Sequence, residues 1–168
     1  QLINRRLDKH TGSTIKCIEY SRILSEKFKV KVFSRTLASS LKDKVDFYPI
    51  GRGLINKSWI DNSLSSKTVL FKKFFQILSG YRRLTNTAID ILHSHTLSTS
   101  KIAHSFRNSI AAPMIYDVHG IIDSRDRESI FQEKKIIESF EGTIVEAENT
   151  KTYLSRSLSS SILDKIHV

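Results

Sequence analysis

The stretch from Asp90 to Gly120 constrains the fold of this chain more than any other. Asp90-Ile91-Leu92-His93-Ser94-His95-Thr96 and Pro113-Met114-Ile115-Tyr116-Asp117-Val118-His119-Gly120 are brief apolar runs ending in polar residues. Between them Ile102, Ala103, Phe106 and Ile110 recur at helical spacing. Short apolar runs with polar ends read as strands, and the 3.6-residue period between them reads as a helix. A strand-helix-strand unit sets its two strands parallel through a right-handed crossover. Open parallel sheets bind ligands at the carboxyl ends of their strands, which is where His95 and His119 stand.

The two segments resemble the paired signature of the amino-terminal domain of family 4 retaining glycosyltransferases, which have the GT-B fold. In that family a strand reading Asp-Ile-Ile-His-Ala-His is followed, one helix later, by Tyr-Asp-Val-His-Gly. Here the strands read Asp90-Ile91-Leu92-His93-Ser94-His95 and Tyr116-Asp117-Val118-His119-Gly120. A further stretch resembles the family's Ala-Asp-x-Ile-Ile-x-Val-Ser-Glu-x-Leu-Lys-x-Tyr-Leu, with Glu141 at the aspartate position and Glu148, Lys151, Tyr153 and Leu154 matching. Ala147 stands where the family has serine. The expected fold class is α/β, a Rossmann-like, mainly parallel sheet of about six strands flanked by helices. The resemblance implies that residues 1–168 form a single domain, the amino-terminal half of a GT-B enzyme. Its first strand is read as truncated, and the donor-nucleotide domain as absent.

Length and composition suit that reading. A chain of 168 residues, 39% hydrophobic and 26% charged, is long enough for one domain with a full core. Its single cysteine, Cys17, forms no internal disulfide, which points to a reducing, cytoplasmic setting. The longest apolar run, Ile110 to Tyr116, falls far below the roughly 18 residues of a membrane span. A net charge of +10 attracts phosphate-bearing partners of every kind without choosing among them.

Around the central unit the chain alternates the same two patterns. Gln1 to Asn4 reads as a strand end. Thr11-Gly12-Ser13-Thr14 offers hydroxyl caps before a helix whose face carries Cys17, Tyr20 and Leu24. Phe28 to Phe33 alternates apolar and basic residues, so it reads as a strand with one wet face near the sheet edge. Val45 to Ile50 is a second candidate, ended by Pro49. Gly51 to Lys67, with Trp59, reads as a mobile loop. Leu70, Phe71, Phe74, Phe75, Leu78 and Tyr81 make a helical stripe flanked by Lys72, Lys73, Arg82 and Arg83. That stripe suits first a core-facing helix with a solvated basic face, and second an interfacial surface against anionic headgroups. A helix carrying Ile130, Phe131, Ile136, Ile137 and Phe140 follows, then a strand from Gly142 to Asn149 and a short helix to Leu154. The serine-rich stretch Ser155 to Ser161 reads as loose, and Asp164 to Val168 as a last strand.

Glycosyl transfer needs a stabilised diphosphate, a held sugar and an acceptor hydroxyl at the anomeric carbon. The resemblance makes His119 the first catalytic candidate, because the family's histidine there faces the cleft and hydrogen-bonds the donor sugar. Taken alone, without the resemblance, His119 reads rather as a histidine capping a strand end. Imidazole donates or accepts near neutral pH, so it can orient a sugar hydroxyl without a metal. The substrate-binding candidates are Gly12, Ser13, His95, Asp117, Gly120, Glu146, Glu148 and Asn149. Gly12 and Ser13 lie where the family carries a loop of two adjacent glycines near the donor phosphates; this chain has one glycine there, and a plain helix cap is the alternative. Asp117 shares a face with His119 and could orient it. Glu146, Glu148 and Asn149 approach a strand end, as acceptor ligands or as solvated polar groups. His93 and His95 are read as pointing to opposite faces of their strand, which denies them a shared metal. No metal and no cofactor are expected, the nucleotide sugar being a substrate.

The expected function is therefore the acceptor-binding half of a retaining glycosyltransferase. Its partners would be a nucleotide sugar, held through the second domain, and a glycan or lipid-linked acceptor. An anionic membrane surface is a further partner, making the protein cytoplasmic or peripheral on the inner face of the membrane. Two alternatives stand beside it: a basic α/β module for nucleic acid, and a catalytically silent GT-B scaffold. No nucleic-acid motif, phosphate-binding P-loop or dinucleotide glycine fingerprint is present.

Overall fold

Parallel pairing governs every strand of the computed structural model, which describes residues 1–3, 7, 11–50, 82, 84–119, 127–156 and 158–168. Gly51 to Lys67, the stripe Leu70 to Tyr81, Lys72, Lys73, Arg83 and Gly120 lie outside the described residues; Arg82 is exposed. The chain divides into two compact units, one built from Gln1 and residues 3–88, the other from Leu2 and residues 89–168.

In the first unit, helix α1 (Gly12–Leu24) precedes strands β1 (Lys31–Ser34) and β2 (Asp46–Pro49), which pair in parallel. The helix starts where the sequence supplies hydroxyls. Thr11 is its N-cap, and the Thr14 Oγ1 accepts the Thr11 N–H at 2.8 Å, closing a capping box. Its inner face carries Thr14, Cys17 and Ser21, with Tyr20 only half-buried. Cys17 packs in a core with Ile3, Leu7, Val30, Val32, Ala38 and Leu41. The expected wet-faced edge strand is corrected here. Val32 and Phe33 are both buried, and β1 is hydrogen-bonded on two sides, to β2 and to Gln1 and Ile3 through Phe33. An interior strand covered on both faces is apolar at successive positions rather than alternate ones. Phe28, exposed, lies before the strand begins.

The second unit is a sheet in the order β3-β4-β5-β6: β3 (Leu92–His95), β4 (Met114–Asp117), β5 (Gly142–Ile144) and β6 (Ile166–His167). Leu2 adds a single parallel bridge to Ser94. Helices α2 (Leu97–Ser105), α3 (Arg127–Ser139) and α4 (Glu148–Ser155) follow β3, β4 and β5 in turn. This is the expected strand-helix alternation, and among the described residues the strands number two in the first unit and four in the second. The register opposes Leu92 to Met114 and His95 to Asp117.

One face of this sheet is closed by helices. The Ser94 hydroxyl lies 2.7 Å from that of Ser100 on α2, and the Tyr116 hydroxyl donates to Glu133 on α3, itself buried. Met114, Ile136, Ile137 and Phe140 are buried in the unit's interior. Each such side chain contributes about 1.5–3 kcal/mol of burial free energy. The stretch expected to be loose is ordered at its end: a helical turn, α5 (Ser160–Leu163), starts after Ser159 in the N-cap position, and Leu158 is buried. Serine is a preferred N-cap, so a serine-rich run can start a helix as readily as it can stay loose.

Candidate functional site

Alternation along β3 and β4 decides what meets at their carboxyl ends. Ser94 and Tyr116 point to the helices, so the residues on either side of each, His93 and His95, Ile115 and Asp117, share the opposite face. The expectation that His93 and His95 diverge is thereby corrected. Their ring centroids lie 4.3 Å apart, because a pleat of period two returns residue i+2 to the face of residue i.

Asp117 is the hub. Its Oδ2 lies 3.1 Å from His95 Nδ1, 3.3 Å from His119 Nε2 and 4.0 Å from His93 Nε2. The Nδ1 of His119 in turn lies 3.2 Å from Glu146 Oε1, just beyond β5. Exposure rises along this line from 0% for the Asp117 side chain to 13% for His119 and 51% for Glu146. The cluster thus runs from the interior to solvent, with His119 between two carboxylates. A doubly protonated imidazole donates to both at once, whereas a neutral one donates to one.

Electrostatics separates the inner histidine from the outer one. Burial pushes the His95 pKa below its ordinary value, while the Asp117 hydrogen bond and charge act in the opposite direction. Burial is the larger cause, so His95 is neutral at neutral pH. Its Nδ1 is hydrogen-bonded to the Asp117 carboxylate.

The backbone at the end of β3 is strained. Thr96 holds φ at 122°, a region that L residues rarely adopt, at a cost of about 1–3 kcal/mol. It is also the N-cap of α2. Its carbonyl accepts the N–H and hydroxyl of Ser100, each at 3.0 Å, and its hydroxyl lies 2.8 Å from that of Thr99. The helix start is thus tied directly to the strand end that carries His95.

Four expected site residues therefore come together: His95, Asp117, His119 and Glu146. Glu148 and Asn149 are exposed in the first turn of α4. Gly12 and Ser13 open α1 in the other unit, Gly12 exposed and Ser13 buried. Gly120 lies outside the described residues. The sequence reading did not place His93 in the cluster; the signal for it was its spacing of two from His95. Nor did it find the role of Glu141, which accepts the Met114 N–H at 2.7 Å and pairs with Arg107, holding its carboxyl below the usual glutamate range. No helix among the described residues is long and apolar enough to cross a membrane.

No family model matches the chain, and no curated protein does. Solved structures match across nearly all of it. HepE of Anabaena in complex with UDP-glucose aligns over 100% of this chain and 43% of its own, with a TM-score of 0.68 at 8% identity. HepE in complex with UDP and glucose aligns over 97% and 41%, with a TM-score of 0.67 at 10% identity. Sucrose-phosphate synthase of Thermosynechococcus elongatus aligns over 95% and 42%, with a TM-score of 0.63 at 12% identity. The chain spans under half the length of these neighbours and shares their fold, the α/β architecture of GT-B glycosyltransferases.

Proposed function

We propose that this chain is the acceptor-side half of a glycosyltransferase that moves a sugar, with retention, from a nucleotide-sugar donor to a glycan or lipid-linked acceptor. The observation that carries the reading is the Asp117-His119-Glu146 line at the carboxyl ends of parallel strands. The fold is one whose solved examples include a complex with UDP-glucose, and ligands of open parallel sheets sit at those strand ends. The family 4 resemblance of the two histidine-ended strands gives the finer assignment.

On this reading Asp117 fixes the orientation of the His119 ring through Nε2, and Nδ1 faces the solvent-exposed Glu146. Glu146 is the exchangeable partner. When a donor sugar enters, one of its hydroxyls takes the place of Glu146 at Nδ1, and Glu146 is released to a hydroxyl of the acceptor. The bond between the anomeric carbon and the diphosphate breaks, a bond to the acceptor oxygen forms, and the acceptor proton passes to the departing diphosphate. A second domain holds the nucleotide, and no metal takes part in the transfer step. Basic residues including Arg82 seat the protein on an anionic surface at the inner face of the membrane.

The test is transfer from radiolabelled UDP-sugars by the intact gene product that carries this chain, compared with its His119→Ala variant. We expect loss of transfer on the order of 100-fold, the scale of a lost acid-base or orienting group. Normal transfer by the variant overturns the role of His119. Salt-dependent RNA binding with no transfer by the wild type overturns the reading itself, in favour of a basic binding module.

A further inference from the structure

The geometry points to a transition-metal site of the zinc class formed by His93 Nε2, His95 Nδ1 and Asp117 Oδ2, with an open fourth position bordered by His119. One ligand atom from each of the three residues lies within 4.8 Å of the other two, and all three residues are buried. The inference goes beyond the glycosyl-transfer reading and does not rest on it.

Three lines of chemistry support the site. The first is shape. A tetrahedral ion with bonds of about 2.0–2.1 Å sets its donors about 3.3 Å apart. The separations from Asp117 Oδ2 are 3.1 Å to His95 Nδ1 and 4.0 Å to His93 Nε2, so small side-chain shifts close a coordination sphere. The second is donor type. Two imidazoles and one carboxylate suit zinc, cobalt, nickel or copper, whereas magnesium and calcium take oxygen ligands. The third is charge. The Asp117 carboxylate has no exposure and so lies in a poorly hydrated place, and a divalent cation offsets carboxylate charge directly.

The strand scaffold also supplies rigidity. His93 and His95 project from one face of β3, and Asp117 stands opposite His95 in the ladder with β4. Ligand positions set by a hydrogen-bonded ladder need little reorganisation on binding. Asp117 Oδ2 is also the atom that faces His119 Nε2 at 3.3 Å, so a bound ion takes that oxygen from His119. Metal binding and the orientation of His119 therefore compete for one carboxylate.

The experiment adds Co²⁺, as a spectroscopic stand-in for zinc, to the full chain after chelator treatment. We expect one Co²⁺ per chain, with the intense visible bands of a four-coordinate ion, and their loss on addition of Zn²⁺. His93→Ala, at the more accessible ligand, should weaken binding on the order of 100-fold or more, since losing even an outer partner of a ligand costs 10–100-fold. His104→Ala, at an exposed histidine away from the cluster, should leave it unchanged. A wild-type chain that shows no such bands, or binding that survives His93→Ala in a variant with an unchanged circular-dichroism spectrum, overturns the site. It leaves a purely hydrogen-bonded His-Asp cluster, and it leaves the transferase reading untouched.

Discussion

The carboxyl end of β3 and β4 and the amino end of α1 give similar sequence cues, a polar tip next to a helix start, yet they are built in opposite ways. At β3 and β4 the side chains carry the structure: a buried carboxylate meets three imidazoles, and each polar atom depends on the others. At α1 the backbone carries it. Thr11 and Thr14 satisfy the helix start between themselves, and among the described residues nothing lies within 4 Å of where a Cβ on Gly12 would stand. A preorganised cluster commits to one chemistry. An open glycine commits to none until something approaches it.

Substitutions can break this contrast or sharpen it. The largest effect belongs to Asp117→Ala, which removes the hub and leaves the buried His95 Nδ1 without its hydrogen-bond partner. We expect a loss of about 3 kcal/mol in urea unfolding, the range for truncating one partner of a buried polar network, together with loss of transfer by the intact enzyme. A loss below 1 kcal/mol in urea unfolding would mean that the histidines do not depend on the carboxylate. Thr14→Ala should cost about 1 kcal/mol, the worth of a helix cap, and leave transfer intact. If transfer falls as well, the hydroxyls at the start of α1 touch substrate and the two regions are more alike than their construction suggests. The smallest effect on stability is that of Gly12→Ala. The site is the first residue of the helix, alanine favours helix over glycine, and the Cβ meets no atom, so stability should stay within about 0.5 kcal/mol. Unchanged melting with reduced transfer would show that a ligand approaches this backbone; unchanged transfer would leave a plain cap.

What was legible in the sequence follows the range of each interaction. β3, α2 and β4 could be read because their patterns are complete within short windows, and the parallel pairing followed from the connection. Within β3 the periodicity also contained the meeting of His93 with His95, although the sequence reading assigned their faces wrongly. The burial of Phe33 was not legible, since its two hydrogen-bonded neighbours come from distant parts of the chain. Nor was the contact of Tyr116 with Glu133 or of Arg107 with Glu141, pairs that depend on how α3 and the chain before β4 pack. His119 and Asp117 could be named as site residues from family resemblance, and their shared face from their spacing, but that Glu146 closes on His119 from the other side is a fact of β4 and β5 in register.

That register carries a consequence for how the chain assembles. Parallel strands joined through a helix find each other late, and a ladder displaced by one position turns every side chain of the displaced strand to the other face. Were β4 to slip by one residue against β3, Asp117 would turn towards the face closed by α2 and α3, and Tyr116 would face the imidazoles. An unpaired carboxylate in such surroundings costs several kcal/mol, enough to depopulate the misaligned sheet. The buried carboxylate of Asp117 thus checks the alignment of the strands while the protein folds.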